Sequence, residues 1–319
     1  MGRLKISILF ILVINFSFGQ NQRTLVFSGK VTDGYNKKLK NVFVEVNVND
    51  SVFKSSVSGS NGQYNISEIE YGNVYNLIYK KDGMVSKSLL IDTKNDYEEK
   101  SVDLITYLDL NISLIKRHGD YDYAVIEGSP VARAHINSKH GGIDWDQSYN
   151  DQRKNEIYTF LKKIEKQYYQ SAKEKYDSGN YDESIDDLNH AIEIDKLNDL
   201  ASDNKNKDIA DEYLWRGNSF EKLGQHQEAI ADYTRAIEVY PDYFDSYYNR
   251  AEVYSIIGKN NESLNDLNKA IEIDIYSSDA YSLRAYVKKK LGLLFCDDYK
   301  KSCDFGTKKS CKEYNKSCN

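Results

Sequence analysis

Three segments in the second half of the chain repeat one pattern, and this self-similarity constrains the fold more than any other feature. They read GNYDESIDDLNHAIEID from 179, GQHQEAIADYTRAIEVYP from 224 and GKNNESLNDLNKAIEID from 258. In each segment a glycine is followed by apolar or small residues at intervals of three or four, which lie on one face of a helix. Because one such unit cannot bury its apolar face alone, the pattern predicts stacked helix pairs with a continuous core.

The unit that begins at Ala210 resembles a tetratricopeptide repeat along its whole length. The matching aromatic, small, turn and proline positions are Tyr213, Gly217, Phe220, Gly224, Ala229, Tyr233, Ala236 and Pro241. The resemblance implies further units at 165–198, 244–277 and 278–305, within a repeat region that spans 158–295. The extra residues at about 199–209 are predicted either to lengthen a helix or to form a polar loop.

The resemblance also implies a concave face, lined by the first helix of each pair, that binds a peptide or a protein. Related repeats that clamp a C-terminal carboxylate need cations where this chain has Leu214, Asp279 and Leu283, so that clamp is not expected. The residues predicted to line the concave face are Tyr169, Lys173, Tyr176, Leu214, Asn218, Glu221, Tyr248, Glu252, Ile256, Tyr286 and Lys289.

The first third of the chain, from Thr24 to about residue 115, alternates apolar and polar residues in short runs. Turn residues such as Asn61-Gly62 and Asp82-Gly83 separate the runs, so the pattern predicts about seven strands of a β-sandwich. The stretches SGKVTDGYNKKLKNVFVEV and SVSGSNGQYNIS resemble the carboxypeptidase-regulatory-like family, a transthyretin-like sandwich, over residues 22–115. The resemblance implies an accessory module without chemistry of its own.

A second function is open to this β region. Tyr64, Tyr71, Tyr75 and Tyr79 would form a groove for sugar if they shared an exposed face, although tyrosines on strands ordinarily serve packing. The leading hypothesis is therefore a non-enzymatic protein-interaction scaffold of a bacterial cell envelope. The alternative is a module that binds envelope glycans or polymers through the sandwich.

Residues 116–157 follow neither periodicity and are interpreted as a connector. Asp144, Asp146, Ser148 and Asn150 imitate the start of a calcium loop, but Tyr149 occupies the position where that loop requires glycine. Neither a nucleotide-binding glycine motif nor a serine nucleophile elbow occurs. We therefore expect no catalytic, cofactor-binding or metal-binding residues, and no enzyme activity.

The first 19 residues have the pattern of a signal peptide: Arg3 and Lys5, an apolar run from Ile6 to Ile14, and the small residues Ser17 and Gly19. We therefore expect an exported protein, periplasmic or secreted, with attachment to the outer membrane as an alternative. Later stretches are too short to predict a membrane span. The formal net charge of -6 with interspersed signs gives no expectation of nucleic-acid binding, and the sequence does not specify an oligomeric state.

All four cysteines lie in the last 24 residues, at 296, 303, 311 and 318. Alignment with the repeat puts Cys296 and Cys303 on one helical face about 10.5 Å apart, too far for a disulfide or a shared zinc ion. If 296–319 forms a capping helical hairpin, residues equidistant from its turn meet. This predicts nested disulfides, Cys303 with Cys311 and Cys296 with Cys318, with free buried thiols as the alternative.

Overall fold

The computed structural model describes residues 24–34, 36–94, 105–117, 121–136, 143–199 and 207–318. They form two compact units, one from the residues up to 117 together with 126–151, the other from 121–125 and 152–318. The first unit is built of strands and the second of helices, so the prediction of a β region followed by helical repeats is confirmed. The predicted signal peptide lies outside the described residues. No helix in the described ranges is both long and apolar enough to cross a membrane.

The β unit consists of two sheets. One has the order β4-β1-β9-β6, with β8 also paired to β1, and the other has the order β11-β10-β7-β5-β2-β3. The strands are β1 (Thr24–Asp33), β2 (Phe43–Val48), β3 (Ser51–Val57), β4 (Gln63–Glu70), β5 (Val74–Lys80), β6 (Met84–Val85), β7 (Lys87–Asp92), β8 (Ile105–Asp109), β9 (Ile112–Lys116), β10 (Ala132–Ile136) and β11 (Ile143–Trp145).

Residues 116–157 were expected to be a connector that follows neither periodicity. They instead include the strands β10 and β11 and the short helix α1 (Ala124–Glu127). Strand β10 runs parallel to β7, and β11 pairs antiparallel with β10. Ala134 and Ile136 are buried, whereas Arg133 and His135 are exposed. This alternation spans too few residues to be recognised in the sequence, and its partner β7 lies more than 40 positions earlier.

The packing role of the tyrosines, rather than the alternative of a sugar-binding groove, is what the structure shows, because three of the four are core residues. Tyr64, Tyr75 and Tyr79 are each at most 4% exposed. The hydroxyl of Tyr64 lies 2.8 Å from that of Tyr79 and donates a hydrogen bond to the carbonyl oxygen of Leu110. Each buried hydroxyl therefore has a partner inside the sandwich, as a buried tyrosine requires. Tyr71 is only partly buried and forms no groove with the others.

The helical unit consists of helix pairs whose first member ends at a glycine. Gly179, Gly224, Gly258 and Gly292 all have φ between 71° and 82°, the left-handed conformation that ends a helix and that other residues adopt only with strain. The helices are α2 (Gln147–Asp177), α3 (Tyr181–Asp199), α4 (Lys207–Lys222), α5 (His226–Val239), α6 (Phe244–Ile256), α7 (Asn260–Ile273), α8 (Ser278–Lys290), α9 (Cys296–Asp304) and α10 (Lys308–Ser317).

The extra residues between the first two pairs belong in part to helices. Helix α3 continues to Asp199 and α4 begins at Lys207. Residues 200–206 lie outside the described residues, so their predicted helix or loop stays a prediction.

An arginine–aspartate pair recurs in three successive repeats and joins the two helices of each. Two of the three guanidinium nitrogens of Arg250 donate to the carboxylate of Asp266, at 2.7 and 2.8 Å, and the third donates to the Thr234 hydroxyl on the preceding repeat. In the first repeat Lys175 contacts Asp187 at 2.7 Å instead. We call the three pairs the arginine ladder: Arg216–Asp232, Arg250–Asp266 and Arg284–Asp298.

The tail contains the two nested disulfides that the hairpin geometry predicts. Cys296 is bonded to Cys318 and Cys303 to Cys311, with Cα–Cα distances of 5.7 and 4.6 Å. Ser310 near the start of α10 donates to Ser282 near the start of α8, and Lys289 near the end of α8 donates to Ser317 near the end of α10. Helix α10 therefore runs alongside α8 in the same direction, where a further repeat would place its first helix.

Candidate functional site

The first helices α2, α4, α6 and α8 present one shared surface, which we call the first-helix face. At its N-terminal end the ring of Trp215 lies 5.2 Å from that of Tyr176, and the ammonium group of Lys173 lies 5.1 Å from the Trp215 ring and 5.6 Å from the Tyr169 ring. Burial, with the Asp211 carboxylate as the next cause, raises the pKa of Tyr169 to about 12. This end of the face is an aromatic surface with one cation stacked on it.

The centre of the first-helix face is a hydrogen-bonded network of amides and a carboxylate. The hydroxyl of Tyr233 lies 2.8 Å from Asn218 Oδ1 and 3.0 Å from Glu221 Oε2, and Asn249 Nδ2 donates to Asn218 Oδ1 at 2.9 Å. Tyr233 reaches this position because Gly217 leaves room, since a Cβ there would lie 2.6 Å from its ring. The network therefore links α4, α5 and α6 and fixes the orientation of these polar groups.

At its C-terminal end the first-helix face opens into a cavity of about 720 Å³ between α8 and α10. The side chains of Tyr248, Leu283 and Tyr286 give it apolar and aromatic walls. The lining is Tyr248, Asp279, Ser282, Leu283, Tyr286, Lys289, Lys290, Tyr299, Thr307, Lys309, Ser310 and Glu313. Since four of these residues belong to α10 or the turn before it, the disulfide-held tail forms one wall of the cavity.

Tyr248, which lines this cavity together with Asp279, is influenced by three carboxylates. Burial raises the pKa of Tyr248 to about 12, and the charges of Glu252, Asp279 and Glu221 contribute to the rise. Burial also raises the pKa of Glu252, with the Glu221 carboxylate as the second cause.

The predicted site residues divide into those that the structure brings together and those that it does not. Tyr169, Lys173 and Tyr176 share the aromatic end, Asn218 and Glu221 the network, and Tyr248, Tyr286 and Lys289 the cavity. Glu252 does not line the cavity, but its charge contributes to the raised pKa of Tyr248.

Two predicted residues stand apart from these groups. Leu214 is a correction, because it is 6% exposed and packs with Ala229, Tyr233 and Val253 in the core. Ile256 is 57% exposed at the C-terminal end of α6.

Sequence reasoning missed Trp215, which contacts two predicted residues. The signal was its position three residues before Asn218, which places both on one side of α4. Sequence reasoning also missed the contribution of α10 to the wall of the cavity. The tail does not continue the repeat pattern, so the sequence did not indicate that α10 lies beside α8. Within the described ranges, no group of three or more His, Cys, Asp or Glu side chains is arranged to hold a metal ion.

Comparison with protein-family models finds three matches, all described as tetratricopeptide repeat. They cover residues 168–196, 210–243 and 232–265. No curated protein sequence matches the chain.

Similar solved structures include tetratricopeptide proteins and the MamA protein. One from Parabacteroides merdae is 20% identical, covering 46% of this chain and 55% of that one, with a TM-score of 0.41. The MamA protein is 21% identical, covering 52% and 86%, with a TM-score of 0.39. The second tetratricopeptide domain of Spaghetti, bound to a peptide of HSP90, is 32% identical, covering 32% and 95%, with a TM-score of 0.31.

The family matches fall on α2 to α7, where the structure has the expected helix pairs with glycine ends. The helical unit therefore contains tetratricopeptide repeats, over residues 168–196 and 210–265.

Proposed function

We propose that this protein is a non-enzymatic scaffold that binds a peptide or an extended protein segment on the first-helix face. One observation carries the proposal: aromatic, amide and carboxylate side chains of four successive first helices line one surface that ends in an open cavity. Large rigid aromatic side chains beside fixed amides suit recognition of an extended chain, because they offer apolar contact area and hydrogen bonds together.

Export to the periplasm or to the outside is part of the proposal. Two features support it, the signal-peptide pattern of the first 19 residues and the two disulfides of the tail. Disulfides persist in oxidising compartments and are rare where thiols are kept reduced. The resemblance of the β region to carboxypeptidase-regulatory-like modules fits an accessory role in such a compartment.

A binding test on the full-length protein examines the proposal. The protein is immobilised, a bound partner is recovered from an extract of the source cells, and retention of that partner is then measured for variants. We expect Tyr248→Ala with Tyr286→Ala to lower retention at least about tenfold, because both rings wall the cavity. Tyr276→Ala is the matched control, since Tyr276 lies in the turn between α7 and α8 and is 70% exposed. Unchanged retention in the double variant, with its melting temperature preserved, would contradict the proposal.

A second candidate function, binding of a glycan or polymer by the β unit, is favoured by one observation. An open cavity of about 1050 Å³ lies over β1, β4 and β9, with Lys30, Gln63, Asn65, Asp109 and Asn111 among its lining residues. Amides and carboxylates of this kind hydrogen-bond sugar hydroxyls. Of the four tyrosines that the sequence suggested, Tyr64 also lines this cavity, but it is only 4% exposed, so the candidate rests on the polar residues.

A further inference from the structure

We infer that the loop between α8 and α9 contacts an anionic membrane surface, with Leu294 among the lipids and nearby lysines against their phosphate groups. The inference goes beyond the proposed function and does not depend on the partner of the first-helix face. We call Leu293, Leu294 and Phe295 the leucine loop. Two observations carry the inference: an almost fully exposed apolar side chain at the tip of the loop, and a set of lysines that a disulfide holds beside it.

The leucine loop departs from the other repeats at a position that the backbone makes equivalent. In each repeat the residue after the helix-ending glycine donates its amide to a carbonyl oxygen five residues before it, at 2.8–2.9 Å. These residues are Asn180, Gln225, Lys259 and Leu293. Three repeats therefore have an exposed polar side chain where the last one has a leucine.

The loop also continues further before the next helix, which leaves Leu294 without a counterpart. The second helix begins two residues after the glycine in the three earlier pairs, but α9 begins four residues after Gly292. Leu294 is 94% exposed and Leu293 is 47% exposed, so packing within the chain does not explain the pair. Single exposed leucines are common on protein surfaces, but two adjacent ones at the tip of a loop favour contact with another apolar medium.

The disulfide between α9 and α10 places the end of α10 beside the leucine loop. Cys318 is bonded to Cys296, the residue after Phe295, and their Cα atoms are 5.7 Å apart. The ammonium group of Lys289 lies 5.4 Å from the Phe295 ring and donates to the Ser317 hydroxyl at 3.2 Å. The C-terminal halves of α8 and α10 therefore flank the loop with lysines. These are Lys288, Lys289, Lys290, Lys312 and Lys316.

The charge at this end of the helices is positive, although acidic residues are present. Asp298 is buried in the arginine ladder, and Glu313 lies 3.9 Å from Lys289. Asp297 is exposed beside the loop. Residues 288–319 contain nine lysines and four acidic residues, in a chain whose net charge is -6, so this end would attract an anionic surface. The flanking lysines without an ion pair among the described residues are Lys290, Lys312 and Lys316.

A lipid surface matches both parts of this arrangement. Apolar side chains at a loop tip enter the boundary between headgroups and acyl chains, and lysine ammonium groups reach the phosphates on their long stems. Acidic phospholipids attract each lysine that lies near the surface. A protein partner would instead need an apolar pocket shaped for one projecting leucine. The tip and its lysines therefore fit a membrane surface that is contacted from one side.

Co-sedimentation with lipid vesicles tests the inference on the exported chain from Gln20 onward, because the apolar run of the predicted signal peptide would enter vesicles by itself. One set of vesicles is phosphatidylcholine alone, and the other contains phosphatidylglycerol at about one third of the lipid. We expect at least about fivefold more protein to bind the anionic vesicles, and binding to fall as salt rises.

Two double variants and one control assign this binding to the loop and its lysines. Leu293→Ser with Leu294→Ser should lower binding about tenfold, and Lys312→Gln with Lys316→Gln about fivefold. Ile275→Ser should leave binding unchanged, because Ile275 is 53% exposed in the turn at the opposite end of α8.

The outcomes decide the inference without reference to the first-helix face. Equal binding to the neutral and the anionic vesicles would overturn it, as would unchanged binding of the double leucine variant with its melting temperature preserved. If the protein stays in the supernatant with both kinds of vesicle, the inference is wrong and the leucine loop has a protein partner or none. Peptide or protein binding on the first-helix face is measured separately and stands or falls by its own variants.

Discussion

Arg250→Ala should lower the free energy of unfolding of the helical unit by about 3 kcal/mol. The substitution removes two contacts to Asp266 and one to Thr234, the contact that reaches the preceding repeat. Asp266 is 7% exposed, and a carboxylate left in such a site without a cation costs more than the lost hydrogen bonds. Because the pair holds α6 to α7 and its third contact reaches α5, the helical far-UV signal should melt at a lower temperature.

Arg235→Ala is the control for this prediction. Arg235 pairs with Glu238, and the two side chains are 64% and 55% exposed, so its removal should cost no more than about 0.5 kcal/mol. The double substitution Arg250→Ala with Asp266→Asn should recover part of the loss, because no charge is then left unpaired. Urea unfolding followed by circular dichroism measures all of these differences, and a loss below about 1 kcal/mol for Arg250→Ala would refute the structural role of the ladder.

Glu212→Gln should stabilise the protein at neutral and alkaline pH, by about 1–2 kcal/mol. Glu212 is 1% exposed, and among the described residues no hydrogen-bond donor reaches either of its carboxyl oxygens. Burial, followed by the charges of Asp195 and Glu165, raises its pKa well above the usual value. The nearby cation, Lys162, is shared among Asp195, Glu165 and Asp208 at about 3 Å each.

The sign of the effect follows from linkage. The folded state keeps a proton on Glu212 at pH values where the unfolded state has lost it, so stability falls as pH rises above the unfolded pKa. Glutamine resembles the protonated acid and does not titrate, so its advantage should be largest at alkaline pH and vanish near pH 4, the usual range for a glutamate pKa. Melting temperatures measured from about pH 4 to alkaline pH give the difference in stability between the two proteins. Glu228→Gln is the control, because Glu228 is exposed. A Glu212→Gln protein that melts below the unmodified protein at alkaline pH would contradict the assignment.

The sequence predicted the helical half well because its information is periodic and local. The glycine ends and the apolar faces depend on residues within one or two helical turns, and the hairpin of the tail joins cysteines at most 22 positions apart. The arginine ladder was within reach of the same argument, since Arg216, Arg250 and Arg284 recur at the repeat period. It was missed because charged residues at that spacing look like a solvated face until their partners are seen to be buried.

The β half was harder to predict because its decisive contacts join distant parts of the chain. Strand β10 lies beside β7 and β1 pairs in parallel with β8 and β9, and neither pairing leaves a local pattern. The tyrosines that suggested a groove alternate along their strands in the same way whether they face solvent or the second sheet. Whether these tyrosines face solvent or the core depends on where the opposite sheet lies. In this structure Tyr64 and Tyr79 are a buried pair.

Photo-crosslinking from the full-length protein tests the central claim, binding on the first-helix face, most directly. A photoreactive phenylalanine analogue is placed at Tyr286 on that face, at Tyr276 in the α7–α8 turn, or at Phe53, which is 44% exposed on β3. We predict that the analogue at Tyr286 forms a covalent adduct with one peptide or protein partner in an extract of the source cells, and that the other two positions do not. A partner captured from Phe53 or Tyr276, with none captured from Tyr286, would contradict the account.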